Sequence, residues 1–197
     1  MRDVWERLPL GSLSLFCVDT LTSLGFSFMD ALNAFVQLFT LADVAATQRI
    51  EARLALVLSD PAAYQAQYAE ELAERSITTA LPTQELRDVV LIDALLSEDL
   101  LWESDWKDSA ADMAEGLQEI LTQQKRELSL TIAQPRGNYH FGPEQLDDVQ
   151  DALEPLGLAL VLFTLDSDSF PLGVVSDAQA EDARSLAKEL GFTLMVY

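Results

Sequence analysis

Most of the side chains in this sequence that could do chemistry are carboxylates. The chain has 33 Asp and Glu against 12 Lys and Arg, with one His and one Cys in 197 residues. Carboxylates can bind a hard cation, work as an acid–base pair or attract a basic partner. One Cys excludes an internal disulfide framework and a thiolate metal cluster, and one His excludes a multi-histidine metal site within the chain.

A cysteine nucleophile would have to pair Cys17 with His140. Cys17 lies in an apolar run, which predicts a buried and inert thiol. His140 alternates with Tyr139 and Phe141, which predicts a short strand whose imidazole faces solvent or bonds the backbone. Glycine-rich phosphate loops and the G-x-S-x-G elbow are missing from the sequence. The sequence therefore favours a non-enzymatic role, with no catalytic residue and no cofactor.

Asp166 and Asp168 are the pair best spaced to bind a metal ion. In an extended segment a D-x-D pair projects both carboxylates to one side, where they could share Mg²⁺ or Ca²⁺. An EF-hand loop is excluded, because Pro171 and Asp177 stand where it requires Gly and Glu. An ordinary Asp/Ser turn is the alternative. A divalent-metal-dependent hydrolase that uses clustered carboxylates is accordingly the second functional hypothesis.

Residues 93–119 form the densest acidic stretch, with nine carboxylates against one lysine. Two tryptophans lie within it, in a predicted connection between helices. Aromatic anchors with a charged rim are typical of hot spots in protein interfaces. Two interpretations stay open, since both rings could instead cap the helical core. The predicted partner-binding residues are Trp102, Glu103, Asp105, Trp106 and Asp108.

The net charge of −21 is spread along the chain, with −13 in residues 1–130 and −8 in residues 131–197. Such a charge argues against nucleic-acid binding, which needs a basic face. It is explained by a solvated surface that keeps the protein soluble, by adaptation to high salt, or by a face that meets a basic partner. The expected partner is a basic protein, and a homodimer is the alternative.

The apolar content of 49% is enough for a well-packed core. Asp19 and Asp30 interrupt the apolar stretch between Leu8 and Leu41, which argues against a membrane span. A signal-peptide cleavage pattern is missing after Asp19. We therefore expect a cytoplasmic protein that does not contact a membrane.

Residues 27–127 show the periodicity of five amphipathic helices joined by short turns. In the first predicted helix, Phe28, Leu32, Phe35 and Phe39 form one apolar stripe. Each helix is predicted to begin at a recognisable start signal. The start signals are Ser27 with Asp30, Thr40 with Asp43, Asp60-Pro61, Pro82-Thr83, and Ser109 with Asp112.

From residue 128 the pattern indicates strands and helices in the order β-β-α-β-β-α-β. The first strand is predicted where Leu128, Leu130 and Ile132 alternate with polar residues, and a central strand at the apolar run 158–165. Pro171 predicts that its strand lies at an edge or begins after it. Ser176 with Gln179 is predicted to cap the last helix, and Gly191 to end it.

These patterns predict an α+β fold. A mainly helical region, 1–127, precedes an α+β region, 128–197, in which helices cover one face of a small mixed sheet. The two regions are expected to pack as one compact unit.

Two segments resemble an uncharacterised bacterial family of domains of unknown function. They are Glu103–Lys107 (ESDWK) and Leu165–Leu172 (LDSDSFPL), each followed by a helix. The resemblance covers residues 90–197. It implies a bacterial cytosolic protein and carries over no established activity or catalytic residue. Toxin-neutralising immunity proteins are similar only in size and charge, which is a weak basis for assigning function.

Overall fold

The computed structural model describes residues 19–41, 43–132, 143–164 and 168–197. Within these ranges the chain forms eight α-helices and four strands, which confirms the α+β class. The helices are α1 (Asp19–Thr40), α2 (Val44–Ser59), α3 (Pro61–Gln67), α4 (Ala69–Glu74), α5 (Thr83–Leu96), α6 (Ala110–Gln123), α7 (Pro143–Leu153) and α8 (Ala180–Leu190). The strands are β1 (Trp102–Asp105), β2 (Leu158–Phe163), β3 (Ser169–Ser176) and β4 (Leu194–Val196).

The sheet has the strand order β1-β3-β2-β4, and every pairing in it is antiparallel where a mixed sheet was expected. Helices cover both of its faces instead of one. Alternate residues of β2 enter different cores, because successive side chains of a strand point to opposite faces. Ala159, Val161 and Phe163 join the core formed with α1, α2, α5 and α8, and Leu158, Leu160 and Leu162 join the core formed with α6 and α7.

Pro171 lies inside β3, which is an interior strand, so the prediction of an edge strand is wrong for β3 as a whole. The pairing of β2 with β3 nevertheless ends at Leu162↔Leu172, one residue before Pro171 would face Phe163. Proline has no N–H to donate at that position. At Pro171, β3 therefore pairs with β1, through Glu103, and with no other strand of the described ranges.

Several predicted helix ends are confirmed by their capping contacts. Asp60 accepts a hydrogen bond from Ala63 N at 2.9 Å. Ser109 and Asp112 form the reciprocal capping box. Gly191 ends α8 in the left-handed conformation, with φ of 77°. Short polar residues favour helix starts and glycine favours helix ends, so these ends could be predicted from the local sequence.

Other predicted ends are wrong. Ser27 does not begin a helix, because α1 already runs from Asp19 through that position. Thr40 is the last residue of α1, and it is Asp43 that caps α2 by accepting from Ala46 N at 2.9 Å. One turn of 3₁₀ helix precedes α8, and no side-chain capping bond from Ser176 is found in the described part of the chain. One predicted helix is two, because the chain breaks at Tyr68 between α3 and α4.

The strand predicted at residues 128–132 is not one. Leu130 is buried and its polar neighbours are exposed, so the alternating burial is real. The backbone of residues 128–130, however, hydrogen-bonds to a side chain and not to a neighbouring strand. Gln118 Nε2 donates to Leu128 O at 3.1 Å, and Gln118 Oε1 accepts from Leu130 N at 2.8 Å. One amide thus satisfies the groups that a neighbouring strand would have paired.

The strand predicted around Tyr139 and Phe141 lies outside the described residues. The boundary proposed between residues 127 and 128 stays a prediction, although β1, which precedes it, pairs with β3, which follows it. In the described helices, no stretch combines the length and the hydropathy that crossing a membrane requires.

Strand β1 is held on one face of the sheet by the contact of Trp102 with α6. The indole lies directly against Gly116, where a Cβ atom would come within 2.2 Å of the ring. The helix therefore approaches β1 as closely as a residue without a side chain allows. This contact fixes the strand that carries most of the predicted partner-binding residues.

We predict that Gly116→Ala destabilises the protein by about 2 kcal/mol, because the added methyl group displaces the Trp102 ring. In a Trp102→Leu background the same change should be neutral or stabilising by up to about 1 kcal/mol, which is the helix propensity of Ala over Gly. Urea unfolding followed by far-UV circular dichroism measures both differences. An equal loss in the two backgrounds would show that the Trp102 contact does not limit this position.

Candidate functional site

The structure brings together two groups of residues that the sequence analysis treated separately. Asp105 of β1 pairs with Ser169 of β3, and Trp106 N donates to Asp168 O at 3.1 Å. One of the two predicted metal-binding aspartates therefore adjoins the predicted partner-binding segment at one end of the sheet. Asp166, the other, lies outside the described residues.

The turn after β1 is built from two of the predicted carboxylates. Asp105 Oδ1 accepts from Lys107 N at 2.9 Å. Asp108 Oδ2 accepts from Asp105 N at 2.8 Å and from Ser104 Oγ at 3.0 Å. Asp108 is half-buried, whereas Asp105 is exposed. Asp108 thus shapes the turn, and Asp105 remains open to solvent.

The two tryptophans occupy different environments. Trp102 is partly buried and packs with the core of α6 and α7. Trp106 is 42% exposed, and Lys107 Nζ lies 5.0 Å from the centroid of its ring. Core capping therefore describes Trp102, and Trp106 has the exposure that a contact residue needs. The binding role of these residues stays a prediction.

We call the exposed acidic and aromatic side chains at this end of the sheet the Trp106 surface, and Lys107, also exposed, adjoins it. It consists of Glu103, Asp105, Trp106 and Asp168. Glu103 and Asp105 share one face of β1, because side chains two residues apart in a strand point the same way. The surface combines one large aromatic ring with three carboxylates.

A cleft of about 400 Å³ adjoins this surface on the helical side of β1. Six charged side chains from four elements line it, and we call it the arginine cleft. They are Arg53 of α2, Glu71 and Glu74 of α4, Arg75 at the end of α4, Asp93 of α5 and Glu103 of β1. Glu103 belongs both to the cleft and to the Trp106 surface.

Arg53 is fixed by three contacts. Its Nε donates to Tyr64 Oη at 2.7 Å and its Nη2 to Glu71 Oε2 at 2.7 Å. The guanidinium also lies 4.8 Å from the centroid of the Tyr68 ring, in a cation–π contact. Burial raises the pKa of Tyr64 to about 12, although the bond from Arg53 acts in the opposite direction. Tyr64 is therefore a neutral hydroxyl acceptor at physiological pH.

Arg75 joins three elements through two carboxylates. Its Nε pairs with Asp93 Oδ1, and its Nη1 donates to Glu103 Oε1 at 3.0 Å. The Asp93 side chain is only 10% exposed. Burial raises the pKa of Asp93, and the charges of Arg75 and Arg53 partly offset that rise. The guanidinium of Arg75 thus compensates a poorly hydrated carboxylate and ties β1 to α4 and α5.

Sequence reasoning missed this cleft. Arg53 and Arg75 are far from Glu103 along the chain, and no local pattern pairs them. One signal was present, because Asp93 interrupts the apolar run 89–95 on the buried side of α5. A lone carboxylate in such a run implies a compensating partner.

The described residues add no contact that bears on the predicted metal site or on catalysis. Among the described residues, no group of three or more His, Cys, Asp or Glu side chains is arranged to hold a metal ion. Cys17, His140 and Asp166 all lie outside those residues. The metal role of Asp166 and Asp168 therefore stays a prediction.

We predict that Arg75→Gln costs about 2 kcal/mol of stability at pH 7. Breaking a fully buried pair costs about 3–5 kcal/mol, and this arginine retains 28% of its exposure. The loss should shrink towards pH 4.5. Without Arg75 the pKa of Asp93 rises further above its unfolded value, so the folded state takes up the proton first and gains stability as the pH falls. Chemical denaturation at both pH values measures the change.

Arg49→Gln is the matched control, since it breaks the bond of an exposed arginine to Glu98. It should cost less than about 1 kcal/mol. The double variant Arg75→Gln/Asp93→Asn should regain stability at pH 7, because it removes the uncompensated charge. A loss that is independent of pH and is not rescued by Asp93→Asn would contradict this account.

The comparison with known families agrees with the resemblance seen in the sequence and extends it. The chain matches the family described as Domain of unknown function (DUF6630) over residues 31–197. The match includes β1, the Trp106 surface and all four elements that line the arginine cleft. No curated protein and no solved structure shows a detectable match to the chain. The chain is therefore a member of this family of domains of unknown function.

Proposed function

We propose that this chain is a protein-binding module that contacts a basic partner through the Trp106 surface. The observation that carries the proposal is the 42% exposure of Trp106, which follows the exposed Asp105 in the chain and is bonded through its backbone N–H to the exposed Asp168. A large exposed aromatic ring with a polar rim is the usual composition of an interface hot spot. A toxin-neutralising or immunity role is one instance of such a module.

The contact of Lys107 with Trp106 supports a cationic partner. The ammonium group lies over the ring, where the negative face of the indole attracts a cation. An arginine of the partner that displaced Lys107 would make the same type of contact. The position of Lys107 thus indicates the charge that this ring accepts.

The charge of the whole chain supports the same choice of partner. A net charge of −21 attracts a basic protein over a distance of about one Debye length, close to 10 Å at 0.1 M salt. Such attraction increases the association rate more than it lowers the dissociation rate. Binding should therefore weaken strongly with salt.

We predict that Trp106→Ser abolishes capture of a basic partner from a lysate of the native cell. Met195→Ser is the matched control, because Met195 is 51% exposed on β4 at the opposite edge of the sheet. Quantitative mass spectrometry compares the proteins that the full chain and the two variants retain at low and high salt. The proposal expects a basic protein that the control retains and that Trp106→Ser and high salt both remove. Identical sets of proteins from all three chains would contradict it.

With that partner purified, we predict that Asp105→Asn/Asp168→Asn slows association several-fold and changes dissociation little. Asparagine keeps the oxygen that accepts from Lys107 N, so the turn after β1 should persist. Glu189→Gln on α8, also exposed, is the control and should have a much smaller effect. Stopped-flow measurements over a range of salt concentrations give both rates. A change confined to dissociation would contradict electrostatic steering.

A further inference from the structure

The arginine cleft has the charge and the rigidity of a pocket for one cationic side chain. We propose that it receives a single arginine side chain of the basic partner, an inference that rests on the proposed function for the nature of that partner. Glu103 belongs both to the arginine cleft and to the Trp106 surface. One segment of the partner that runs along β1 can therefore contact Trp106 and also place a side chain in the cleft.

The charge balance of the cleft selects a cation. Its lining has four carboxylates and two guanidinium groups, a net charge of −2. The exposed side chain of Glu74 makes no hydrogen bond or ion pair with any described residue. One oxygen each of Glu71 and Glu103 accepts a hydrogen bond from an arginine, and no described residue donates a hydrogen bond to the second oxygen of either. Asp93 is paired with Arg75. The cleft therefore has more acceptors than its own arginines use.

The internal contacts hold three of the four carboxylates, all except Glu74. Arg53 is held by Tyr64 and by stacking on Tyr68, so it holds Glu71 in turn. Arg75 holds Asp93 and Glu103 in the same way. A cation entering the cleft would meet three carboxylates that ion pairs already hold in place, which lowers the entropic cost of binding. An anion would face twice as many negative as positive side chains.

Arginine fits this lining better than lysine does. Its planar guanidinium group can donate hydrogen bonds to two carboxylates at once, whereas the ammonium group of lysine acts as a point charge. Leu96, which also lines the cleft, is partly buried and offers an apolar surface for the methylene stem. The pocket thus has separate places for the head and the stem of one arginine.

The test uses N-acetyl-arginine amide as the probe and the full chain as the receptor. Binding is followed in amide NMR spectra, with N-acetyl-citrulline amide as the uncharged analogue of the same shape. The proposal expects saturable shifts at Ser97 and Glu103 with an affinity in the millimolar range, and binding of citrulline at least about tenfold weaker. Equal shifts from the two compounds, or shifts away from the cleft, would overturn it.

Glu74→Gln tests the site without disturbing an internal ion pair, and Glu70→Gln on the same helix is the matched control. Glu70 is exposed and does not line the cleft. Glu74→Gln should weaken binding of the arginine probe about two- to fivefold, the usual range for one exposed charge pair. Glu70→Gln should leave the affinity unchanged, and equal effects of the two variants would overturn the assignment.

The two proposals fail in different ways. Trp106→Ser should not change binding of the arginine probe, because Trp106 does not line the cleft. If a basic partner is lost with Trp106→Ser but the arginine probe does not bind, the pocket is wrong and the proposed function stands. If the probe binds at the cleft and no basic partner depends on Trp106, the proposed function fails and the cleft remains a guanidinium site.

Discussion

The position of β1 depends on contacts from both faces of the sheet. A four-residue strand at a sheet edge has little stability of its own, and among the described strands β1 pairs only with β3. Trp102 anchors one face against Gly116, and Arg75 anchors the other through Glu103. Both candidate sites follow from this arrangement. The chain leaves β1 into the turn that exposes Trp106, and Glu103 completes the wall of the arginine cleft.

The opposite edge of the sheet is closed in a different way. Arg184 Nη2, on α8, donates to Val196 O of β4 at 2.6 Å, so this carbonyl group already has a hydrogen-bond donor. Charged side chains at an edge discourage further strand pairing. In a chain with only 12 basic residues, Arg53, Arg75 and Arg184 all bond at specific structural positions. These three arginines are therefore engaged in contacts within the fold.

Local signals in the sequence predicted the α+β class, the stripe of α1 and the caps at Asp60 and Ser109, because each depends on a few neighbouring residues. Strand β1 was missed, since its acidic sequence shows no strand pattern and its conformation depends on pairing with β3. The strand expected near Leu130 was wrong for the converse reason, because Gln118 supplies the bonds of a neighbouring strand. The arginine cleft unites residues from α2, α4, α5 and β1, and only Asp93, a carboxylate within an apolar run, indicated it.

Site-specific photo-crosslinking in the native cell tests most directly whether the β1 end of the sheet is the contact surface. A photoreactive phenylalanine analogue replaces Lys107, next to Trp106, in one strain and Met195 in another, since both side chains are exposed and lie at different edges of the sheet. The account predicts that position 107 forms an adduct with a basic protein and that position 195 does not. The same adducts from both positions, or an adduct from position 195 alone, would contradict it.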